Sequence, residues 1–444
     1  MLTQITNSLY DQFIAEFEGR ATLGLSSEPA ELVALRKKAF AEFKVLGFPS
    51  TKVEDWKYTN LAPFLKESFD IDEAAGDSAP VEAAIATAKI PGLDCYTIVL
   101  VNGNYRADLS DGVLPDGVAL LPIAAATDKQ GFRDHFGKYL AVKKNHFSAL
   151  NTALFRNGLF IEVKSKTIVD KPIHVIQVVA SPAGGSNLFL QPRHLLIAGA
   201  QSEVTIAESY ITAESSATIF VNNVSEIVVG ENAHVQHYYI QTGDTGTRYV
   251  HHTEVHQHAS SVYNNYKASF PGTALLRNNI NIVLNGENIE SHLYGIYLAG
   301  GHQLVDNHTL VDHQKPNCQS NELYKGVMKD EAIGVFNGKI YVRYQAQKTN
   351  AFQQNNNLML SKKAVVDSKP QLEILADDVK CSHGSTIGQF NEEALFYLKS
   401  RGIGAEKAKA LLIHAFAFDV TEKIPLPAVQ AHINHLIEEG LIAD

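Results

Sequence analysis

Between Asn157 and Gln389 the chain runs through LFIEV (159–163), HVIQVV (174–179), HLLIAG (194–199), EVTIAES (203–209) and IFVNNVSEIVVG (219–230). HVQHYYIQ (234–241), INIVLNG (280–286), IYVRYQAQ (340–347) and LEILADDV (372–379) continue the same texture. These are short runs rich in β-branched and aromatic residues, broken by Gly, Asn and Ser, and they read as strands. No helix-length amphipathic segment interrupts them before about residue 390. Five turns share a loose pattern: Gly199-Ala-Gln-Ser, Gly230-Glu-Asn-Ala, Gly286-Glu-Asn-Ile, Lys329-Asp-Glu-Ala and Ser361-Lys-Lys-Ala. Each is followed by alternating apolar residues, as in a degenerate coil repeat. A large sandwich is the competing architecture; a recurring turn with irregular spacing favours a β-solenoid, whose rungs vary in loop length.

The flanks read differently. Leu2, Ile5, Leu9, Phe13 and Phe17 have helical spacing, as do Leu32, Leu35, Phe40, Phe43 and Leu46, with Pro49 closing the second run. Residues 67–91 are acidic and Ala-rich with few large apolar side chains, and read as a loosely packed helix or linker. After Asn391, a good N-cap with Glu392 and Glu393 behind it, Leu395, Phe396 and Leu398 start a helix that Gly402 ends. Two more helices follow, with Ala408, Leu411, Leu412, Ala415 and Phe416 on one and Val429, Ile433, Leu436 and Ile437 on the other. Their stripes are expected to be available to a partner. The division is a helical and mixed region 1–155, a β core 156–390 and a helical domain 391–444.

The 444 residues are 45% hydrophobic and 19% charged, a folded rather than a disordered composition. With 48 acidic against 38 basic side chains, a net charge of -10 argues against nucleic acid and against an anionic membrane surface. The acidic helical start is unlike a signal peptide, and no stretch approaches the roughly eighteen apolar residues of a membrane span. Cys95, Cys318 and Cys381 form no CxxC pair and are odd in number, so a reducing cytoplasmic setting is expected.

Several motifs suggest chemistry. In HHTEVHQH (251–258), His252, Glu254, His256 and His258 would share one face of a strand and could hold zinc, yet the spacing is not HExxH, and stacked polar residues are the plainer reading. SRGIGAEKAKAL (400–411) is read as a helix cap and restart, although it imitates a DNA-binding helix hairpin. Gly334 to Lys339 imitates a phosphate loop but is one residue short between its glycines and has Ile340 where Ser or Thr belongs. No G-x-S-x-G elbow is present. Cys381 and His383 would lie on one face of a strand with Cα atoms about 6.6 Å apart, near enough to share a soft or borderline metal. Asp377 and Asp378 precede them. A buried cysteine beside a hydrogen-bonded histidine is the alternative.

The runs FNGKIYV (336–342), QKTNAFQQNNNLMLS (347–361), DSKPQLEILADDVKCSHGSTIGQ (367–389) and LFYLKSRGI (395–403), with EDWKYTNL (54–61), closely resemble the SufB/SufD family of the SUF iron-sulfur cluster assembly machinery. The pattern is of the SufD type: Ile374 stands where the sister scaffold SufB carries a cysteine, and His383-Gly384 where it has His-Glu. The resemblance implies a right-handed parallel β-helix between helical ends, a complex with SufB, and docking of the SufC ATPase on 391–444. It implies a scaffold subunit and not an enzyme, with no stably bound cofactor. A transient iron or cluster would form at the SufB interface, with His383 the candidate ligand and Cys381 its companion. Iron acquisition is a further implied role, and the chain alone could form a homodimer through the same β-helix edge. Two other readings stay open, a β-helix enzyme acting on acidic polysaccharide and a zinc enzyme centred on His252, His256 and His258.

Overall fold

The computed structural model describes residues 4–5, 7–23, 28–71, 78–181, 185–213 and 217–442; Leu2 of the first helical stripe lies outside them. The β-type runs alternate between two long sheets. One orders Val379–Gln389, Thr349–Met359, Gln319–Met328, Glu290–Ala299, Val262–Ser269, His234–Gln241, Glu203–Thr212, Ile173–Val179, Tyr96–Val101 and Asn104–Tyr105. The other orders Val365–Ile374, Ile333–Val342, Leu304–His313, Leu275–Leu284, Thr247–Gln257, Ile219–Val229, Arg193–Ala198, Leu159–Val163 and Val118–Pro122. Successive strands change sheet, and each pairs in parallel with the strand one coil later. The result is a parallel β-solenoid of about seven turns with helices at both ends of the chain. A sandwich would have paired its strands antiparallel. Tyr96–Val101 joins the first sheet well before residue 156.

The recurring turns explain the coil repeat. Gln201, Asn232, Asn288 and Asp330 each adopt a positive φ of 51–61°, the left-handed conformation that lets the chain turn from one sheet into the other. The turns stack through their backbones: Gln201 N donates to Glu231 O at 2.8 Å and Asn232 N to Ala259 O at 3.0 Å. Gly334 to Lys339 lies inside the strand Ile333–Val342, so the phosphate-loop imitation is strand sequence.

Both outer faces are covered. α1 (Ser8–Leu23) begins later than its apolar spacing suggests, because the Asn7 side chain accepts from Tyr10 N at 3.0 Å and caps it there. Gln4–Ile5 instead pairs antiparallel with Phe48–Pro49. α1, α2 (Ala30–Leu46) and the strand Phe48–Pro49 bring Phe13, Phe43 and Phe48 against Phe189, Phe220 and Leu275 of the second sheet. α3 (Ser78–Ala88) is no linker. Its Val81, Ala84, Ile85 and Ala88 are buried against Val99, Ile176 and Ile211, small side chains letting the helix lie close on a flat sheet face. α4 (Gln130–His135) and α5 (His146–Leu154) join α1 and α2 on the second sheet.

At the other end, Asn391 caps α6 (Glu392–Ser400), accepting from Ala394 N at 2.9 Å, and Gly402 turns the chain with φ 84° into α7 (Ala405–Thr421). α8 (Pro427–Ile442) follows. The stripe read on α8 is not free for a partner, since its Val429, Ile433 and Ile437 are buried, whereas of the stripe read on α7 only Ala408 is buried and Leu411 and Ala415 are exposed. Ile413, Ala417, Val420, Val429, Ile433 and Ile437 are buried on Tyr238, Tyr266, Phe270, Ile296 and Leu298 of the first sheet, because that sheet presents its own apolar outer face there. What these helices expose is Phe396 (73%), Tyr397, Leu411 and Phe418 (56%).

EDWKYTNL fastens the N-terminal layer to the solenoid. The Arg277 guanidinium lies 3.7 Å from the Trp56 ring centroid and bonds Asp306 at 2.6 Å, and Thr59 donates to the same carboxylate. Glu54 forms an ion pair with Lys369, in the last strand of the second sheet. The Asp306 carboxyl is fully buried; burial raises its pKa, but Arg277 and His308 outweigh that and hold it at about 2.

Candidate functional site

The solenoid ends differ in what covers them. At its beginning, Asn104–Tyr105 and Val118–Pro122 turn antiparallel to their neighbours and close the stack. At its finish, Val365–Ile374 and Val379–Gln389 form the last rung and have a neighbour on one side only. Most of the last strand is exposed, and Val365, Ile374, Leu375 and Ile387 stand in solvent at 38–53%. Unpaired N–H and C=O groups along such an edge are a template for another strand.

His383 sits on this rung. Side chains alternate along a strand, and His383 is in register with Gln353, only 2% exposed in the solenoid interior. His383 therefore caps an interior column, exposed because no further rung lies over it. Gly384 beside it has open space where a Cβ would be. Asp377 and Asp378, just before the strand, are exposed. His383 also borders a cleft of about 540 Å³ that runs past Phe352, Gln354 and Tyr294 to Lys423.

Cys381 is two residues earlier, in register with Ala351. It is half-buried in an apolar corner made by Ile340, Val342, Ala346, Ala351 and Ala376. Burial pushes its thiol up from the ordinary value, which disfavours the thiolate that binds metal. Cys318 is buried and Cys95 half-buried, both thiols likewise raised by burial.

Below His383 the interior is polar. Gln353 Nε2 donates to Glu322 Oε2 at 2.7 Å, and Glu322 is 4% exposed, its carboxyl lifted by burial to about 7. Across the mouth, Ser385 and Ser368 hydroxyls meet at 2.8 Å, and Ser368 donates to Asn355 Oδ1 at 2.9 Å. Deeper, His237 joins Tyr263 through Nδ1 at 2.9 Å and Glu208 through Nε2 at 2.7 Å. The sequence reading missed Glu322 and Gln353; their alternation with Leu323 and Phe352 was a signal, but it points the wrong way unless the outer face is known to be covered.

The histidine run behaves otherwise. His252, Glu254 and His256 do share the outer face of Thr247–Gln257, but the N-terminal layer covers them. His252 Nδ1 meets Asn145 Nδ2 at 3.0 Å, Glu254 accepts from Asn281 at 3.0 Å, and His256 stacks on Tyr139 at 4.1 Å. His251 points the opposite way, into the interior against Tyr249. Among the described residues no three His, Cys, Asp or Glu side chains converge as a metal site. No helix among them is long and apolar enough to cross a membrane.

Residues 181–416 match the family model described as SUF system FeS cluster assembly, SufBD core domain, and residues 7–175 match the SufBD protein N-terminal region. The chain is 33% identical over 381 residues to the iron-sulfur cluster assembly protein SufD of Escherichia coli, covering 85% of this chain and 86% of that one. A SufBD family protein of Synechocystis is 32% identical over 93% of this chain and 91% of its own. SufD of Bacillus subtilis is 28% identical over 93% and 94%.

Proposed function

The chain belongs to the SufBD family of iron-sulfur cluster assembly proteins, and on that premise we propose that it is a SufD-type, non-ATPase subunit of the assembly scaffold. The observation that carries this reading is the uncovered last rung. A solenoid closed at its beginning and open at its finish is half of a longer stack, and a SufB rung of the same geometry would complete it. His383 then faces the seam and offers an imidazole nitrogen to iron or to a nascent cluster, a donor suited to borderline metals. Cys381 is the secondary donor. The cluster is cargo, completed by the partner's ligands and passed on.

SufC docks on the C-terminal helices. Their buried stripes leave Phe396, Tyr397, Leu411 and Phe418 as the contact surface, and exposed aromatic residues of this kind are common anchors. Bound iron acquisition belongs to the same edge, where Asp377 and Asp378 are exposed. The setting is the cytoplasm, and without SufB the edge pairs with a second copy of itself.

The test replaces His383 with Ala in the complex formed with SufB and SufC, measuring subunit stoichiometry and cluster formation together. An intact complex that assembles little or no cluster is expected. Loss of the complex would make His383 a structural contact, and normal assembly with normal cluster yield would remove it from the chemistry.

A further inference from the structure

We propose that the cavity where α1, α2 and α4 meet, over the first rungs of the second sheet, binds a small organic monocarboxylate, its carboxylate on Arg20 in the field of Arg36 and its apolar body on Leu32 and Phe132. The site belongs to the N-terminal layer and does not draw on the last rung, so its failure would leave the scaffold reading untouched.

Cations gather here on a chain whose net charge is -10. Arg20 of α1, Arg36 of α2 and Arg156, just past α5, line one cavity of about 370 Å³. Two carboxylates answer them in part. Glu28 takes Arg36 through two bonds, at 2.8 and 3.0 Å, and Arg36 Nη1 serves the carbonyls of Ala153 and Phe155. Arg36 is 4% exposed and fully bonded, so it contributes charge and not a free N–H. Glu16 Oε1 is divided between Arg20 Nε at 2.8 Å and Arg156 Nη2 at 2.6 Å. Arg20 Nη1 donates to Leu154 O at 3.1 Å, but Arg20 Nη2 is buried with no acceptor. A guanidinium nitrogen left unbonded away from water is costly, and a carboxylate is the group that matches the guanidinium fork.

The start of α2 points the same way. Pro29, its N-cap, lines the cavity, and no side chain caps the helix, which leaves the positive end of its dipole beside the arginines. The head group is a monoanion, because Glu16 and Glu28 line the same corner and would repel a second negative charge. The rest of the lining sets the body. Leu32, Ile123, Phe132 and Phe155 make an apolar floor, and the Phe155 ring also carries the Arg36 guanidinium, 3.9 Å from its centroid. An apolar lining with a few fixed polar groups, in a volume of this size, is the usual form of a small-molecule site.

The full-length chain is titrated by calorimetry with phenylacetate, with its neutral analogue phenylacetamide and with inorganic phosphate, alongside Arg20→Gln and Glu16→Gln. One phenylacetate per chain is expected, with the amide and phosphate each weaker by about tenfold or more, since one lacks the charge and the other the apolar body. Arg20→Gln should weaken phenylacetate by about tenfold and leave the amide unchanged. Glu16→Gln removes the carboxylate that competes for Arg20 and should bind phenylacetate more tightly than wild type, an outcome that a misfolded variant cannot imitate. No uptake of phenylacetate by wild type would overturn the proposal. So would equal affinity for phenylacetate and its amide, or for phenylacetate and phosphate. Phenylacetate affinities within about twofold of wild type in both variants would overturn it as well.

Discussion

The two ends of the solenoid are built from the same kind of strand and meet opposite fates. At the first end, strands run antiparallel across the sheets, α3 lies over one face, and α1, α2 and α5 lie over the other. At the last end, a complete rung is laid down and left uncovered. A parallel rung is stabilised by neighbours above and below it, so the bare one is the costly part of the fold. The difference sets the buried contacts where the N-terminal layer grips the solenoid apart from an open edge where nothing covers it, which is the edge proposed above for cluster formation.

The largest effect that would break this comparison is at the grip. Arg277→Ala removes the guanidinium between Trp56 and Asp306 and leaves a buried carboxylate with only His308 and Thr59 as partners, a loss of about 3–5 kcal/mol. Chemical denaturation measures it, and a change below about 1 kcal/mol would mean that EDWKYTNL does not anchor the layer.

Acid should act on the covered region next. Burial holds His174 and His313 at about 4, each bonded to a serine hydroxyl, at 2.8 Å to Ser209 and 2.9 Å to Ser320. An unfolded imidazole titrates near 6.5, so between those values the unfolded chain binds more protons and stability falls as pH falls. At pH 5 each should have forfeited on the order of 2 kcal/mol relative to pH 7.5. Denaturation midpoints across that range test this, and His313→Gln should flatten the profile; a flat wild-type profile would contradict it.

Ile387→Lys sharpens the comparison at the open end. Ile387 is 51% exposed on the last strand, so unfolding stability should move by no more than about 0.5 kcal/mol, while association with SufB weakens by about tenfold or more as a charge enters the seam. Sedimentation or titration of the pair reads it; equal affinity would place the seam elsewhere. The smallest structural effect is expected from Phe396→Ala with Phe418→Ala, exposed at 73% and 56%, which should abolish SufC capture and leave the fold unchanged. Deleting 391–444 is a poorer test, since it would strip the apolar cover from the first sheet.

How legible this was in the sequence depends on how many faces of an element are buried. The turns could be read because they need particular backbone conformations, and Asn232, Asn288 and Asp330 are residues that tolerate them. Asn391 and Gly402 marked helix ends for the same local reasons. What the sequence did not disclose was which strand face is the interior. In Gln319–Met328, Leu323 packs outward beneath the C-terminal helices while Glu322 faces inward, the reverse of the usual polarity. The histidine run has the same ambiguity, with His252 and His256 facing the N-terminal layer and His251 the interior. When helices cover a sheet on its outer side, both faces are buried and hydrophobicity no longer tells inside from outside. The stripe of α8 misled for that reason too, since the surface it fills is made by strands far earlier in the chain.

The central claim is that a partner strand continues the last rung, and hydrogen exchange of the backbone tests it most directly. Amides of 365–374 and 379–389 that point away from their single neighbour should exchange fast in the free chain and become strongly protected when SufB is added. Protection that appears elsewhere on the molecule, with these two strands exchanging as before, would contradict it.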